Sequence, residues 1–174
     1  MDYFQTNNTG VIKVVKGIVI VDSKWGISKS GEMLFHLKTD LVRFRQLTLG
    51  NSVIVGRSTL HTFPGGKPLE GRVNYVLSRT MTPRDDAIVC RSLEELLGKV
   101  PKNSWVLGGG SVYDQLLHQC DQVYVTKVDA DMDADVFFPN LDESPNWEEI
   151  TSSLPREEQG FQFKFVTYRR IAKD

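Results

Sequence analysis

The sequence predicts an α/β domain whose sheet is mostly parallel, with antiparallel strands added at the C-terminal end. Three observations carry this expectation. Short apolar, β-branched runs, GIVIV (17–21), SVIVG (52–56), VNYVLS (73–78), AIVC (87–90) and SWVLG (104–108), alternate with helical patterns through about two thirds of the chain, as β-α-β units do. After residue 120 the texture changes: QVYVTKV and FQFKFVTY alternate apolar and polar residues, the pattern of half-exposed antiparallel strands. The length of 174 residues suits one domain.

Each element has a local reason. GIVIV and SVIVG are continuous apolar runs, expected of strands buried on both faces. TDLVRFRQLTLG reads as a helix: Thr39 or Asp40 caps it, Leu41, Phe44 and Leu47 recur at helical spacing, and Gly50 stops it. Residues 58–62 form a short helical candidate after the second strand. SLEELL opens a helix with a capping box, Ser92 and Glu95. SVYDQLLHQC is the helix that follows SWVLG. Between the first strand and the first helix, DSKWGISKSGEMLF reads as a long loop.

Composition excludes several classes of function. A formal net charge of −1 gives no electrostatic reason to expect nucleic acid or an anionic membrane as partner. No stretch approaches the roughly 18 apolar residues of a membrane span. The start, MDYFQTNNTG, lacks the basic and apolar regions of a signal peptide. Cys90 closes an apolar run and reads as a reduced core residue. The expectation is a cytoplasmic protein, acting as a monomer on a small molecule.

In open α/β sheets, ligands bind at the carboxyl ends of the strands. SVIVG delivers Arg57, Ser58 and Thr59; NYVL delivers Ser78 and Arg79; AIVC delivers Arg91 and Ser92; SWVL delivers Gly108, Gly109 and Gly110. Three arginines beside hydroxyls, with a glycine turn opening a helix, suit a polyphosphate: backbone N–H groups bind anions and guanidinium forks match phosphate oxygens. The spacing departs from G-x-G-x-x-G, because Tyr113 stands where the third glycine belongs. No acid at the neighbouring strand ends could hold a ribose 2′-hydroxyl, and the basic residues there argue for a 2′-phosphate, hence NADPH over NADH.

Asp40 is the second anomaly, the only carboxylate between Glu32 and the end of its helix, flanked by Met33, Leu34, Phe35, Leu37 and Leu41. One reading is a first-turn acid favourable to the helix dipole. The other is a carboxylate in an apolar cleft, its pKa raised by desolvation, that pairs with an amidine-like ring and assists proton transfer. His36, His61 and His118 share no metal-ligand spacing, so no metal is expected.

GIVIVDSKWGISKSGEMLF, LKTDLVRFRQLTLGNSVIVGRST, KPLEGRVNYVLSR, LGGGSVY and VYVTKVDADMDADVFFP together resemble, in order and spacing, the successive motifs of dihydrofolate reductases. The resemblance runs from about Gly17 to the C-terminus. It implies an eight-stranded sheet with four helices, and reduction of 7,8-dihydrofolate to tetrahydrofolate by hydride transfer to C6 and protonation at N5. Asp40 falls on the family's active-site acid, Thr126 on the hydroxyl behind it, and Phe35 on a catalytic-site aromatic. Ile18, Met33, Leu41, Phe44, Phe63, Leu69 and Leu107 fall on the substrate walls. Arg72 falls on the arginine that grips the folate carboxylate, with Lys67 on the rim. Ile20, Ile27, Ser28 and Gly31 match the nicotinamide side. Arg57, Ser58, Thr59, Leu77, Ser78, Arg79 and Arg91 match the phosphate side, and Gly108, Gly109, Gly110, Ser111, Val112 and Tyr113 the turn where the family has a cis Gly-Gly bond.

The sequence departs from the family in three places. Leu34-Phe35 replaces the family's Pro-Trp, Pro64-Gly65 resembles an insertion, and about thirteen residues precede the usual start. Residues 1–13 are therefore expected to be an extension or added edge element, with residues 14–174 as the domain. Two rival readings are the NADPH-dependent pyrimidine reductase of riboflavin synthesis, which resembles the same fold, and a non-catalytic nucleotide-binding module. Neither has a use for Asp40, Thr126 and Arg72 together.

Overall fold

The computed structural model describes residues 15–171, so the expected N-terminal extension (1–13) lies outside the described residues. The main sheet is an eight-stranded path with a ninth strand paired off it, and a separate sheet has three strands. Among the described residues, the eight-stranded path and the four α-helices are those expected. The chain divides into two compact units, described in turn.

The first unit holds residues 15–17 and Thr48–Cys120. Here β1 (Val15–Val21), β7 (Ser104–Gly108), β4 (Ser52–Gly56), β5 (Val73–Leu77) and β6 (Ile88–Cys90) pair in parallel. The parallel order is the expected consequence of strands separated by helices: α2 (Arg57–Thr62), α3 (Leu93–Lys99) and α4 (Gly110–Leu116). Val55, Leu60, Val76 and Met81 form its core, with Phe63 and Leu107 packed against them. Full burial of an aliphatic side chain of this size contributes about 1.5–3 kcal/mol.

Two local expectations change in this unit. The Ser92–Glu95 capping box is half formed: Ser92 Oγ accepts from Glu95 N at 3.1 Å. The Glu95 carboxylate does not reach back to Ser92; it accepts from Arg91 N at 2.7 Å and from Lys99 Nζ at 3.0 Å. The helix of SVYDQLLHQC also ends early, because a 3-10 turn covers residues 117–119 and Cys120 already begins β8 (Cys120–Val128). The Cys120 thiol donates to Leu116 O at 3.4 Å, occupying a carbonyl that a longer helix would have used.

The second unit holds Ile18–Leu47 and residues 121–171. β10 (Trp147–Ser152), β12 (Phe161–Arg170) and β8 run antiparallel, with Thr126 opposite Phe165 and Val128 opposite Phe163. β11 (Arg156–Glu158) folds back on the start of β12. Phe35, Leu37, Val128 and Phe163 form the core. The expected double burial of β1 gives way to alternation, with Ile18 and Ile20 on the half-covered face.

The stretch expected as a loop is largely ordered. β2 (Gly26–Lys29) and β3 (Glu32–Met33) come from it and pair with β9 (Val136–Phe137) in a small sheet. Asp22 organises the entry: its carboxylate accepts from Lys24 N, Gly26 N and Met132 N at 2.7–3.0 Å. A Cβ on Gly26 would come within 2.4 Å of the Ala134 side chain, so the close approach requires glycine.

Helix α1 (Lys38–Thr48) starts before the expected caps, leaving Thr39 and Asp40 inside its first turn. Its apolar stripe is not a core face: Leu41 is 46 % exposed, Phe44 and Leu47 are half-buried, and Thr48 alone is buried.

Candidate functional site

In the unit containing α1, the chemistry centres on Asp40. Thr126, buried on β8, donates its hydroxyl to Asp40 Oδ1 at 2.5 Å. Burial pushes the Asp40 carboxyl up; the Thr126 hydrogen bond and the Arg43 charge pull it back, and the Glu158 charge adds to the rise. Burial disfavours the charged form and dominates here. A carboxylate whose protonation is poised this way can accept and return a proton.

The apolar residues expected near the acid are uncovered to different degrees. Met33 and Leu41 are exposed, while Phe44, Ile18 and Ile20 are half-buried. Phe35 is different: it is 3 % exposed, with its ring edge-on to Phe161 at 5.2 Å between centroids. Ile27 and Ser28 are half-buried on β2, and Gly31 sits at φ +80° in the β2–β3 turn.

In the other unit a cleft of about 630 Å³ opens at the carboxyl ends of β4, β5, β6 and β7. Arg57, Ser58, Thr59, Leu77, Ser78, Arg79, Arg91, Gly109, Gly110, Ser111 and Val112 line it, as expected. Ser92, expected both as a cap and as a strand-end hydroxyl, lines it as well, and so do Gly56, Leu93 and Gln115, which the sequence does not single out. The guanidinium groups are partly oriented: Arg57 donates to Thr80 Oγ1 at 3.3 Å and Arg91 to Ser78 O at 3.2 Å.

The glycine turn explains itself sterically. The Gly108–Gly109 peptide is cis, as the resemblance implies. Gly108 has φ +117°, and a Cβ there would meet the Tyr113 ring at 3.0 Å. A Cβ on Gly109 would meet Thr59 Oγ1 at 3.0 Å. Tyr113 is buried, outside the cleft lining, and braces the turn by donating its hydroxyl to Leu107 O at 2.7 Å.

Arg72 belongs to a separate part of the same unit. Its Nε and one Nη donate to Glu70 O at 3.0 and 2.8 Å, and its other Nη donates to Thr48 Oγ1 at 3.1 Å. Beneath it the buried Asn74 amide staples the loop, accepting from Leu69 N and donating to Leu69 O and Arg72 O. Asn74 has no distinguishing signal in a strand sequence, so sequence reasoning missed it. Lys67 is exposed and Leu69 half-buried. Pro64–Gly66 forms a 3-10 turn with Gly65 at φ +66°. Among the described residues no group of His, Cys, Asp and Glu could hold a metal ion.

A parallel α/β sheet with an arginine-lined cleft at the carboxyl ends of its strands has the arrangement in which open α/β folds bind ligands. The sequence matches the dihydrofolate reductase family over residues 14–170, and the chain belongs to that family. It is 30 % identical to the dihydrofolate reductase of Bacillus subtilis over 90 % of this chain and 95 % of that protein. It is 35 % identical to the dihydrofolate reductase of Mycobacterium leprae, over 90 % and 98 %. A bifunctional dihydrofolate reductase-thymidylate synthase of Arabidopsis thaliana is 32 % identical over 88 % of the chain, which spans only 31 % of that longer protein. Among solved structures, dihydrofolate reductase from Enterococcus faecalis complexed with NADP(H) and RAB-propyl superposes with TM-score 0.80 at 28 % identity, covering 90 % of this chain and 96 % of that one.

Proposed function

We propose that residues 14–174 form a catalytic domain that reduces 7,8-dihydrofolate to 5,6,7,8-tetrahydrofolate with NADPH. The observation that carries this reading is Asp40: a carboxylate raised by burial, paired with Thr126, on a helix whose neighbouring apolar side chains are uncovered. A pterin offers the matching chemistry, an amidine edge for the carboxylate and a flat apolar ring for Leu41, Phe44 and Ile18.

The cleft residues fit NADPH by the chemistry of their donors. Arg57, Arg79 and Arg91 would hold the 2′-phosphate, and Ser58, Thr59 and Ser78 with the turn at 109–111 the pyrophosphate. A Cβ at Gly109 would fill part of this cradle. When bound, NADPH supplies the hydride that goes to C6. The chain's own residues do the rest. Thr126 fixes the carboxyl orientation, Asp40 holds the pterin and supports protonation at N5, and Arg72, preset by Glu70 O and Thr48, receives the glutamate carboxylate. We expect the protein to act in the cytoplasm as a monomer, without nucleic acid or membrane partners. Its two buried free thiols suit a reducing compartment.

The test is to follow NADPH absorbance with the protein and dihydrofolate together and separately. Consumption that requires dihydrofolate supports the reading; consumption with a pyrimidine substrate alone, or none with either, overturns it.

A further inference from the structure

The segment that delivers Asp40 is gripped at three points by one remote hairpin, the tip between β11 and β12. Phe161 packs its ring against Phe35. Gln159 Nε2 donates to His36 O at 3.3 Å, from a turn in which Gln159 and Gly160 have φ +53° and +79°. Glu158 Oε1 accepts both Thr39 N at 3.2 Å and the Thr39 hydroxyl at 2.5 Å. The last contact satisfies a first-turn N–H of α1, the service a local N-cap ordinarily performs. Leu37, at the capping position, has an apolar side chain and cannot do so. The second Glu158 oxygen, Oε2, is out of contact with solvent.

We propose that Glu158 is the positioning residue for Asp40: it caps α1 from another element and brings its charge to the turn that carries the acid. The inference rests on the reading of Asp40 as the proton-handling acid. The groups that act on Asp40 come from three elements: Thr126 by hydrogen bond from β8, Arg43 by charge from α1 itself, and Glu158 by charge from β11. Arg43 and Glu158 oppose each other. Arg43 is held in place with its guanidinium 4.2 Å from the Phe165 ring centroid. The Glu158 carboxyl itself is held below the usual range, first by the Thr39 hydroxyl.

Two variants separate the roles. Glu158→Gln keeps an acceptor for Thr39 and removes the charge; Glu158→Ala removes both. The Asp40 carboxyl is titrated by carbon-13 NMR in the protein without cofactor, and kcat and KM are measured across pH. In both variants Asp40 should titrate lower than in the native protein, and the alkaline fall in activity should move to lower pH. Glu158→Ala alone should also raise KM for dihydrofolate severalfold and lower Tm by about 2–4 °C, as loss of one cap does, with Gln restoring both. An unmoved Asp40 midpoint in Glu158→Gln overturns the charge role. Native KM and Tm in Glu158→Ala overturn the positioning role. If no form consumes NADPH with dihydrofolate, the proposed activity fails, while the carboxyl titration still decides this inference.

Discussion

Thr126 and Asp40 stand 86 residues apart in the chain, yet the threonine hydroxyl lies 2.5 Å from the carboxylate as its hydrogen-bond donor. Burial disfavours the ionised acid, and this bond restores part of what burial removes. The balance between the two, with the charges of Arg43 and Glu158, decides where the acid titrates.

Asp40→Asn should leave NADPH binding nearly intact and lower turnover sharply at neutral pH. The loss should shrink as pH falls, because dihydrofolate protonated in solution no longer needs the acid. The same change should raise Tm at neutral pH. A carboxyl whose folded pKa is raised contributes fully below its unfolded value and loses that contribution as pH rises through the folded value. The stability gain of the asparagine variant should therefore vanish in acid, which paired kinetics and thermal melts across pH can check.

Thr126→Val keeps the side-chain shape and deletes the donor. Asp40 should titrate higher than in the native protein, opposite in sign to the Glu158 variants, since the hydrogen bond lowers the carboxyl. A hydrogen bond to a charged group contributes about 1.5–3 kcal/mol, so the alkaline limb of the activity profile should move visibly upward. A pH–rate profile that does not move would assign Thr126 to packing alone.

Arg57→Ala should narrow the preference for NADPH over NADH, mainly by weakening NADPH. Arg57 lines the cleft with its guanidinium steadied by Thr80. A charge-assisted contact of roughly 1.5–3 kcal/mol corresponds to about tenfold to a hundredfold in Kd. Fluorescence titration with both nucleotides checks it; an equal loss for NADH would remove the 2′-phosphate from Arg57.

Phe35→Trp would restore the family's aromatic, but Phe35 is enclosed by the cluster of Leu37, Val128 and Phe163 and faces Phe161 edge-on. Overpacking typically costs about 1–3 kcal/mol, and each kcal/mol lowers Tm by about 2–4 °C in a domain of this size. A drop of that order with NADPH affinity unchanged is the expected result. A native Tm would show room for the indole and reopen a direct role for this position at the acid.

The sequence was most informative where one segment decides its own fate. Buried parallel strands announce themselves by β-branched runs, because a strand covered on both faces has no polar side to write. Strand ends then name their own cleft residues, and Arg57, Ser58, Arg79 and Arg91 were legible for that reason. Helix α1 marks the limit. Its residues point to a local cap by Thr39 or Asp40 and a core stripe of Leu41, Phe44 and Leu47. Tertiary structure instead left Leu41 exposed and Phe44 and Leu47 half-buried, and supplied the cap from Glu158, because only the folding of the β11–β12 hairpin brings that carboxylate to Thr39. Asp22 and Asn74 were equally hidden. A buried polar side chain is defined by the backbone groups it satisfies: Asp22 reaches Met132, which only the fold brings near, and Asn74 serves a neighbouring loop whose course no residue pattern shows.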